Sequence, residues 1–356
     1  MIKKMLLSFT LIFLLFVVTA CGESTSSSPE APNSNDNETS SNETNQDSGE
    51  AKPTAPDRFL VIGSGPMGSG WYPITTILSE VYMDGFENLN VSQLEGGSTS
   101  NLRGLEIDDI KLAINFTSDF ADALIGDMDF ETPLEQITSL ASLYPVFQTI
   151  ATLQENTNIN TVEDIVSTHI FLGPRGGGGA VAFWRMMAEY GIDEDVITEA
   201  GGQISYGNYS DGASMLRDGN IDIFVGGGAP AVTGLQEIEM TRPIKVIPID
   251  QDKLDSISNR GYGISSDVLP AGTYRGLDVE IPTYTTVAMF TLRKDLDEEY
   301  AYNLTKLFWE NIDVFENQLP ERARHFTLET AFDGIEIETL HPGAKKYYQE
   351  VGALND

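Results

Sequence analysis

The stretch Val61-Ile-Gly-Ser-Gly-Pro-Met-Gly-Ser-Gly-Trp-Tyr-Pro73 constrains most strongly what this chain can fold into. Phe59, Leu60, Val61 and Ile62 form a short apolar run that reads as a buried strand. Gly63, Gly65, Gly68 and Gly70 then open a turn, and Ile74, Ile77, Leu78 and Val81 follow at helical spacing. The order is strand, glycine turn, helix. Glycines let backbone approach a ligand closely and leave N–H groups uncovered. A helix start adds unpaired donors and a positive partial charge, which suits a carboxylate or phosphate. The same pattern also serves as a plain tight connection.

It recurs along the chain. Leu89–Leu94 alternates like a strand and runs into Glu95-Gly-Gly-Ser-Thr-Ser-Asn101 ahead of a helical pattern. There Ser98, Thr99, Ser100 and Asn101 either cap the helix or turn hydroxyls toward a cleft. Lys111–Phe116 reads as a third strand ending in Thr117-Ser118-Asp119. Ile159–Ile165 reads as a short helix capped by Asn160 or Thr161. Ile170–Leu172 leads into Gly173-Pro-Arg-Gly-Gly-Gly-Gly179 and another helix, and Ile221–Val225 ends in Gly226-Gly-Gly228. In an open α/β sheet, the ligand crevice lies outside the carboxyl ends of the strands. Two long extended runs, 143–153 and 281–292, suit strands that cross between two lobes. Asp295–Trp309 and Asn311–Gln318 read as helices.

The ends of the chain are different in kind. Lys3 and Lys4 precede an uncharged run, Leu6–Ala20, too short for a comfortable membrane span and read as a signal peptide. It closes on Val18-Thr-Ala-Cys21-Gly22, which resembles a bacterial lipobox and implies lipidation of Cys21. Cys21 is the only cysteine, so the folded part holds no disulfide, thiol nucleophile or cysteine-based metal site. Gly22–Pro56 is rich in Ser, Asn, Thr, Glu and Pro without an aromatic. It cannot bury a core and reads as a disordered tether reaching roughly 30 Å.

The chain carries 54 acidic and 21 basic residues, a net charge of −33. Nucleic acid is not expected as a partner, since its phosphates would be repelled. The acids are spread along the chain and suit a solvated surface in a salty or alkaline exterior. Catalysis finds little support. The three histidines, His169, His325 and His341, lack metal-ligand spacing, and no Gly-x-Ser-x-Gly elbow is present. Gly63-x-Gly65-x-x-Gly68 has the spacing of a dinucleotide fingerprint, but Glu87, the acidic residue at the right distance, follows no clear strand. No cofactor is expected.

The region from Arg58 to Gly352 resembles the TAXI class of solute-binding proteins, the extracytoplasmic subunits of TRAP transporters. The matching blocks are Ile62–Pro73, Gly96-Gly-Ser-Thr-Ser-Asn-Leu-Arg103, Leu143-Tyr-Pro145, Gly173–Gly179, Asp218-Gly-Asn-Ile-Asp222, Pro270-Ala-Gly-Thr-Tyr274 and His341-Pro-Gly-Ala344, in that order. The resemblance implies two α/β lobes, two crossing strands and one solute between the lobes. It implies membrane subunits that drive uptake with a sodium or proton gradient. Glutamate, glutamine and related dicarboxylate-like solutes are the ligand class it implies. The chain departs from the family at Trp71, at Arg175 and in a loop that is all glycine where the family carries a hydroxyl. The His341 box is read as ordering the C-terminal segment.

The expectation is therefore an α/β, two-lobed fold of the type II periplasmic-binding-protein kind, with a cleft and two hinge strands. Residues 1–20 are the signal peptide and 21–56 the lipidated cysteine and tether. Lobe one is 57–147 plus 290–356, and lobe two is 148–289. The protein is expected to be a non-enzymatic monomer, lipid-anchored on the outer face of a bacterial cell membrane, delivering a small carboxylate solute to TRAP membrane subunits. The alternative is a sensor presenting solute to a receptor kinase. Expected ligand contacts are Met67, Gly68, Ser69, Gly70, Ser98, Thr99, Thr117 and Ser118 from one lobe. Gly176, Gly177, Gly178, Gly179, Gly227 and Gly228 meet them from the other. Tyr72 either lines the cleft or packs in the core, and Arg175 either pairs with a ligand carboxylate or lies on the surface.

Overall fold

A computed structural model of the chain describes residues 51–355. The expected signal peptide, the expected lipidation site Cys21 and most of the expected tether lie outside the described residues. The end of the tether belongs to the fold: Thr54 bridges to Glu87, Ala55 is buried, and the Pro53 carbonyl accepts from the Glu87 N–H at 2.9 Å.

The chain alternates strand and helix, as the changing period of its apolar residues dictates. β1 (Phe59–Gly63), α1 (Trp71–Gly85), β2 (Asn90–Leu94), α2 (Ser98–Glu106), β3 (Leu112–Phe116) and α3 (Thr117–Ile125) come first, followed by the long β4 (Ile137–Leu153). Next are β5 (His169–Phe171), α4 (Gly178–Glu189), α5 (Glu194–Glu199), β6 (Gln203–Ser205), α6 (Tyr209–Asp218), β7 (Ile223–Gly228) and α7 (Thr233–Glu239). β8 (Ile244–Val246), α8 (Gln251–Ser258) and β9 (Ser265–Leu269) lead to the second long strand, β10 (Ile281–Arg293). The chain ends in α9 (Glu298–Glu310), α10 (Ile312–Gln318), α11 (Pro320–Ala323) and α12 (Pro342–Glu350).

The strands run in the order β2-β1-β3-β10-β4-β7-β5-β6, with β8 on β4 and β9 on β10. β1 is parallel to β2 and β3, and β5 is parallel to β6 and β7. β10 arrives antiparallel beside β3, and β4 arrives antiparallel beside β7. Each parallel trio is thus flanked by one long strand, and the two long strands pair with each other through Ala288–Tyr144 and Thr285–Phe147.

The fold is the expected α/β kind with two long crossing strands. Hydrogen bonds link all the strands, but the cores are separate. One core joins Leu60, Ile114 and Tyr144 to Phe290, Phe308 and Tyr348. A second surrounds Phe183, Ile223 and Ile257, and a third surrounds Phe171, Phe224 and Leu235. Along β10, Tyr284 packs in the second core and Ala288 in the first; along β4, Val146 packs in the first core and Ile150 in the second.

Local capping differs from the sequence expectation in two places. α2 starts after Gly97, and Ser100 Oγ reaches back to accept from the Gly97 N–H at 2.9 Å, while Ser98 Oγ accepts from the Phe116 N–H at 2.9 Å. The expected helix over 159–165 is instead a 3-10 turn, Glu163–Ser167. There the Asp164 carboxylate accepts from the N–H groups of Asn160 and Thr161, at 2.8 and 3.0 Å, so the cap comes from inside the turn.

Candidate functional site

Because each parallel strand hands over to a helix at its carboxyl end, the loops after β1, β2 and β5 converge with the end of β7. They surround a small cavity of about 40 Å3. Pro66, Trp71, Phe116, Tyr144 and Val146 wall it on one side; Leu172, Pro174, Ala180 and Tyr209 wall it on the other. Trp71 and Phe116 meet edge to face, with ring centroids 4.7 Å apart. Backbone supplies much of the rest: Gly70, Gly97, Gly177, Gly178, Gly179, Gly227 and Gly228 all line the space.

The two sides touch around this cavity. Thr99 at the start of α2 donates to the Gly176 carbonyl through its N–H at 3.2 Å and its Oγ1 at 2.5 Å. Gly176 sits at φ +68°, and a Cβ there would lie 2.9 Å from Thr99 Oγ1, so only glycine fits comfortably. Gly68, at φ +80°, lies against the start of α6: its Cβ would fall 2.8 Å from the Ser210 backbone nitrogen. Arg185 of α4 is hydrogen-bonded to the Asp122 carboxylate of α3.

Several buried polar atoms in and beside the cavity have no hydrogen-bond partner among the described residues: Ser69 Oγ, Asp119 Oδ2, Gln148 Oε1 and Arg322 Nε. Such groups cost free energy when left unmet, and a water or a bound molecule can supply the partner. Burial raises the Asp119 carboxyl to about 7, opposed by hydrogen bonding from Ser98 and by the charge of Arg185. Burial also pushes the phenols of Tyr144 and Tyr209 up to about 12, so both stay protonated donors at neutral pH.

The sequence profile of the NMT1-like family matches residues 62–352. The chain belongs to the NMT1-like family. Solved structures with a distant likeness include the alkanesulfonate-binding protein SsuA from Xanthomonas axonopodis pv. citri bound to MOPS, at 12% identity and TM-score 0.47, covering 86% of each chain. An ancestral arginine-binding protein bound to arginine is similar at 12% identity and TM-score 0.43, covering 76% of this chain and 99% of that one. A histidine kinase sensor domain with similarity to periplasmic binding proteins is similar at 13% identity and TM-score 0.43, covering 76% and 96%.

Of the ligand contacts expected from sequence, this NMT1-like protein places Ser69, Gly70, Ser98, Gly177, Gly178, Gly179, Gly227 and Gly228 on the cavity lining. The others stand outside it. Met67 is 52% exposed, and its N–H is bonded to the Glu95 carboxylate. Tyr72 is partly exposed on the first turn of α1. Gly68, Thr99 and Gly176 make contacts between the two sides. Thr117 and Ser118 are buried at the start of α3, where Gly334 and Gly263 pack against them. Arg175 lies 4.0 Å over the Tyr206 ring, away from the lining.

Residues absent from the sequence expectation include Phe116, Tyr144, Leu172, Tyr209 and Arg322. Tyr144 and Leu172 stood inside runs already read as strands, where an inward-facing residue cannot be told from a core residue. Arg322 belongs to a four-residue helix near the C-terminus with no motif around it.

Proposed function

We propose that the chain is an extracytoplasmic solute-binding protein that captures a small carboxylate solute between two lobes and delivers it to TRAP-type membrane subunits. The observation that carries this is the cavity itself. Glycine-rich strand ends from two separately cored halves surround it, Thr99 and Gly176 join across it, and unpartnered buried polar atoms stand in and beside its wall. The lobes are 57–147 plus 290–356 and 148–289, hinged on β4 and β10. The donors expected to hold the solute are the helix-start amides of Gly178 and Gly179, with the Ser69 hydroxyl and the Ser98 N–H opposite. Glutamate, glutamine and dicarboxylate-like solutes are the candidates implied by the resemblance to TAXI proteins.

No catalytic step is proposed. No group of His, Cys, Asp and Glu among the described residues is placed to hold a metal ion. No helix among them is long and apolar enough to cross a membrane, and attachment is assigned to lipid on Cys21. Mass spectrometry of solute released from the purified protein, followed by calorimetry with that solute, tests binding. A protein that releases no solute and binds none from a pool of small carboxylates would refute it. Co-purified transporter subunits would support the transport role, whereas a co-purified receptor kinase would replace it with sensing.

A further inference from the structure

We propose that Arg322 is the group that grips the carboxylate of the solute, and that the rest of the solute is a small body with no second carboxylate. This rests on the solute-binding role proposed above and narrows its substrate class.

Arg322 is the only charged side chain among the residues lining the cavity. It enters from α11, which follows β10 in sequence by a long C-terminal excursion. Its guanidinium lies against the backbone at the start of α1: a Cβ built on Gly70 would come within 2.6–2.9 Å of Nη2, Nε and Cζ. Gly70 has ordinary helical dihedrals, φ −70° and ψ −15°. Its lack of a side chain therefore serves the neighbouring guanidinium and not its own backbone. The Arg322 Nε is buried without a hydrogen-bond partner among the described residues. A buried charged donor left unmet is costly, and the planar guanidinium fork matches the two oxygens of a carboxylate.

Two more donors stand at the same end. The Tyr144 phenol lies beside Arg322, whose charge pulls its pKa down against the larger upward effect of burial. Ser69, next in sequence to Gly70, is 8% exposed, and its Oγ also lacks a partner. The rest of the wall mixes Phe116, Val146, Leu172 and Ala180 with Ser98, Tyr209 and the backbone of Gly178 and Gly179, and no second cation lines it. Asp119 stands behind Ser98 and Gly178, so a second ligand carboxylate there would meet a titrating acid instead of a counter-charge. One carboxylate on a solute without a second one satisfies this arrangement; a dicarboxylate does not.

Calorimetry on the purified protein, freed of bound solute, tests this with four probes: 4-methyl-2-oxopentanoate, L-leucine, L-glutamate and 2-oxoglutarate. At least one of the first two should bind tenfold or more tighter than either dicarboxylate. Arg322→Gln should weaken that probe about a hundredfold, the loss expected from removing two charge-assisted hydrogen bonds, with Arg322→Lys falling between. Gly70→Ala keeps the charge but displaces the guanidinium, and should also weaken binding; it and Arg322→Lys decide the matter if Arg322→Gln does not fold. Parent-like affinity in Arg322→Gln, or tighter binding of glutamate or 2-oxoglutarate than of the one-carboxylate probes, overturns the inference. A parent protein that binds none of the probes but releases a neutral solute overturns it and leaves the solute-binding role standing. A parent protein that neither binds nor releases any solute removes both.

Discussion

Arg185 on α4 and Asp122 on α3 form a hydrogen-bonded ion pair whose side chains are 3% and 10% exposed. α3 follows the first parallel trio of strands and α4 belongs to the second, so the pair spans the two halves. The Tyr262 ring lies 4.6 Å from the guanidinium and helps to cover it. Burial raises the Asp122 carboxyl even though Arg185 opposes that shift. In the lobe motion proposed above, the pair is made only when the halves meet, and both ions return to water when they part.

Breaking such a pair one partner at a time leaves a buried charge, a cost of about 3–5 kcal/mol. In the proposed motion that cost falls on the closed form. Asp122→Asn or Arg185→Met should lower solute affinity at least tenfold while the melting temperature of the solute-free protein changes little. The double variant Asp122→Leu with Arg185→Met should recover much of the loss, because no ion is stranded. Small-angle scattering with and without solute should show the single variants remaining extended. Single variants that bind and compact like the parent would rule out a role in closure.

Asp119 makes stability depend on pH in a direction opposite to most acids. Its carboxyl is raised to about 7, chiefly by burial, so between the ordinary carboxylate range and pH 7 the folded state holds a proton that the unfolded chain has lost. The associated stability is present below about pH 4 and is lost as pH rises through about 7. At roughly 1.4 kcal/mol per pKa unit, the penalty at alkaline pH is at most about 4 kcal/mol. Asp119→Asn should melt higher than the parent at pH 8 and match it more closely at pH 4. Thermal melts of both proteins across that range make the comparison, and parallel curves would show that Asp119 does not titrate in this window.

Much of the fold was legible because its signals are local. Phe59–Ile62, Lys111–Phe116 and the two long β-branched runs carry their own period, and each glycine turn marks a strand end. β9 was not legible: Ser265-Ser-Asp-Val-Leu269 is largely exposed and forms only because β10 offers an edge. At the cavity, the glycines announced themselves by their clustering. Tyr144, Leu172 and Arg322 did not, since their inward direction depends on which strands and helices become neighbours. Gly68 and Gly70 look alike in sequence, yet one faces Ser210 and the other Arg322.

That difference predicts two ways of losing affinity. Gly177 lines the cavity, and Gly177→Val would press its side chain on Pro174, whose carbonyl oxygen lies 3.0 Å from the added Cβ, and so displace the cavity wall. Gly68 lines a contact between the halves, and Gly68→Val would meet Ser210 while forcing valine to φ +80°. Both variants should fold and lose solute binding by calorimetry. Scattering should separate them: Gly68→Val stays extended at any solute concentration, and adding Ser210→Gly does not restore closure because the Ser210 backbone nitrogen remains in the way. Parent-like binding by Gly68→Val would show that the contact with α6 is dispensable.

His341 gives the last prediction, and its sign is the reverse of that for Asp119. It is 1% exposed and caps α12, accepting from the Gly343 N–H through Nδ1 at 3.2 Å, with Pro342 in the first turn. That bond requires an unprotonated Nδ1. Burial lowers the pKa of the ring, opposed by the carbonyls of Leu296 and Lys294. A histidine depressed in the folded state contributes stability that is complete above its unfolded pKa of about 6.5 and lost as pH falls below it. The first core holds Ala344, Tyr347 and Tyr348 of α12, so acid should loosen this helix first. His341→Asn keeps a good capping acceptor without a titrating group. The variant should lose less stability than the parent between pH 7 and pH 5, read as a smaller drop in melting temperature. Hydrogen exchange at pH 5 should show faster exchange across 342–350 in the parent than in the variant. Equal pH profiles for the two proteins would mean that His341 takes up its proton at the same pH in the folded and unfolded states, so that burial does not depress it.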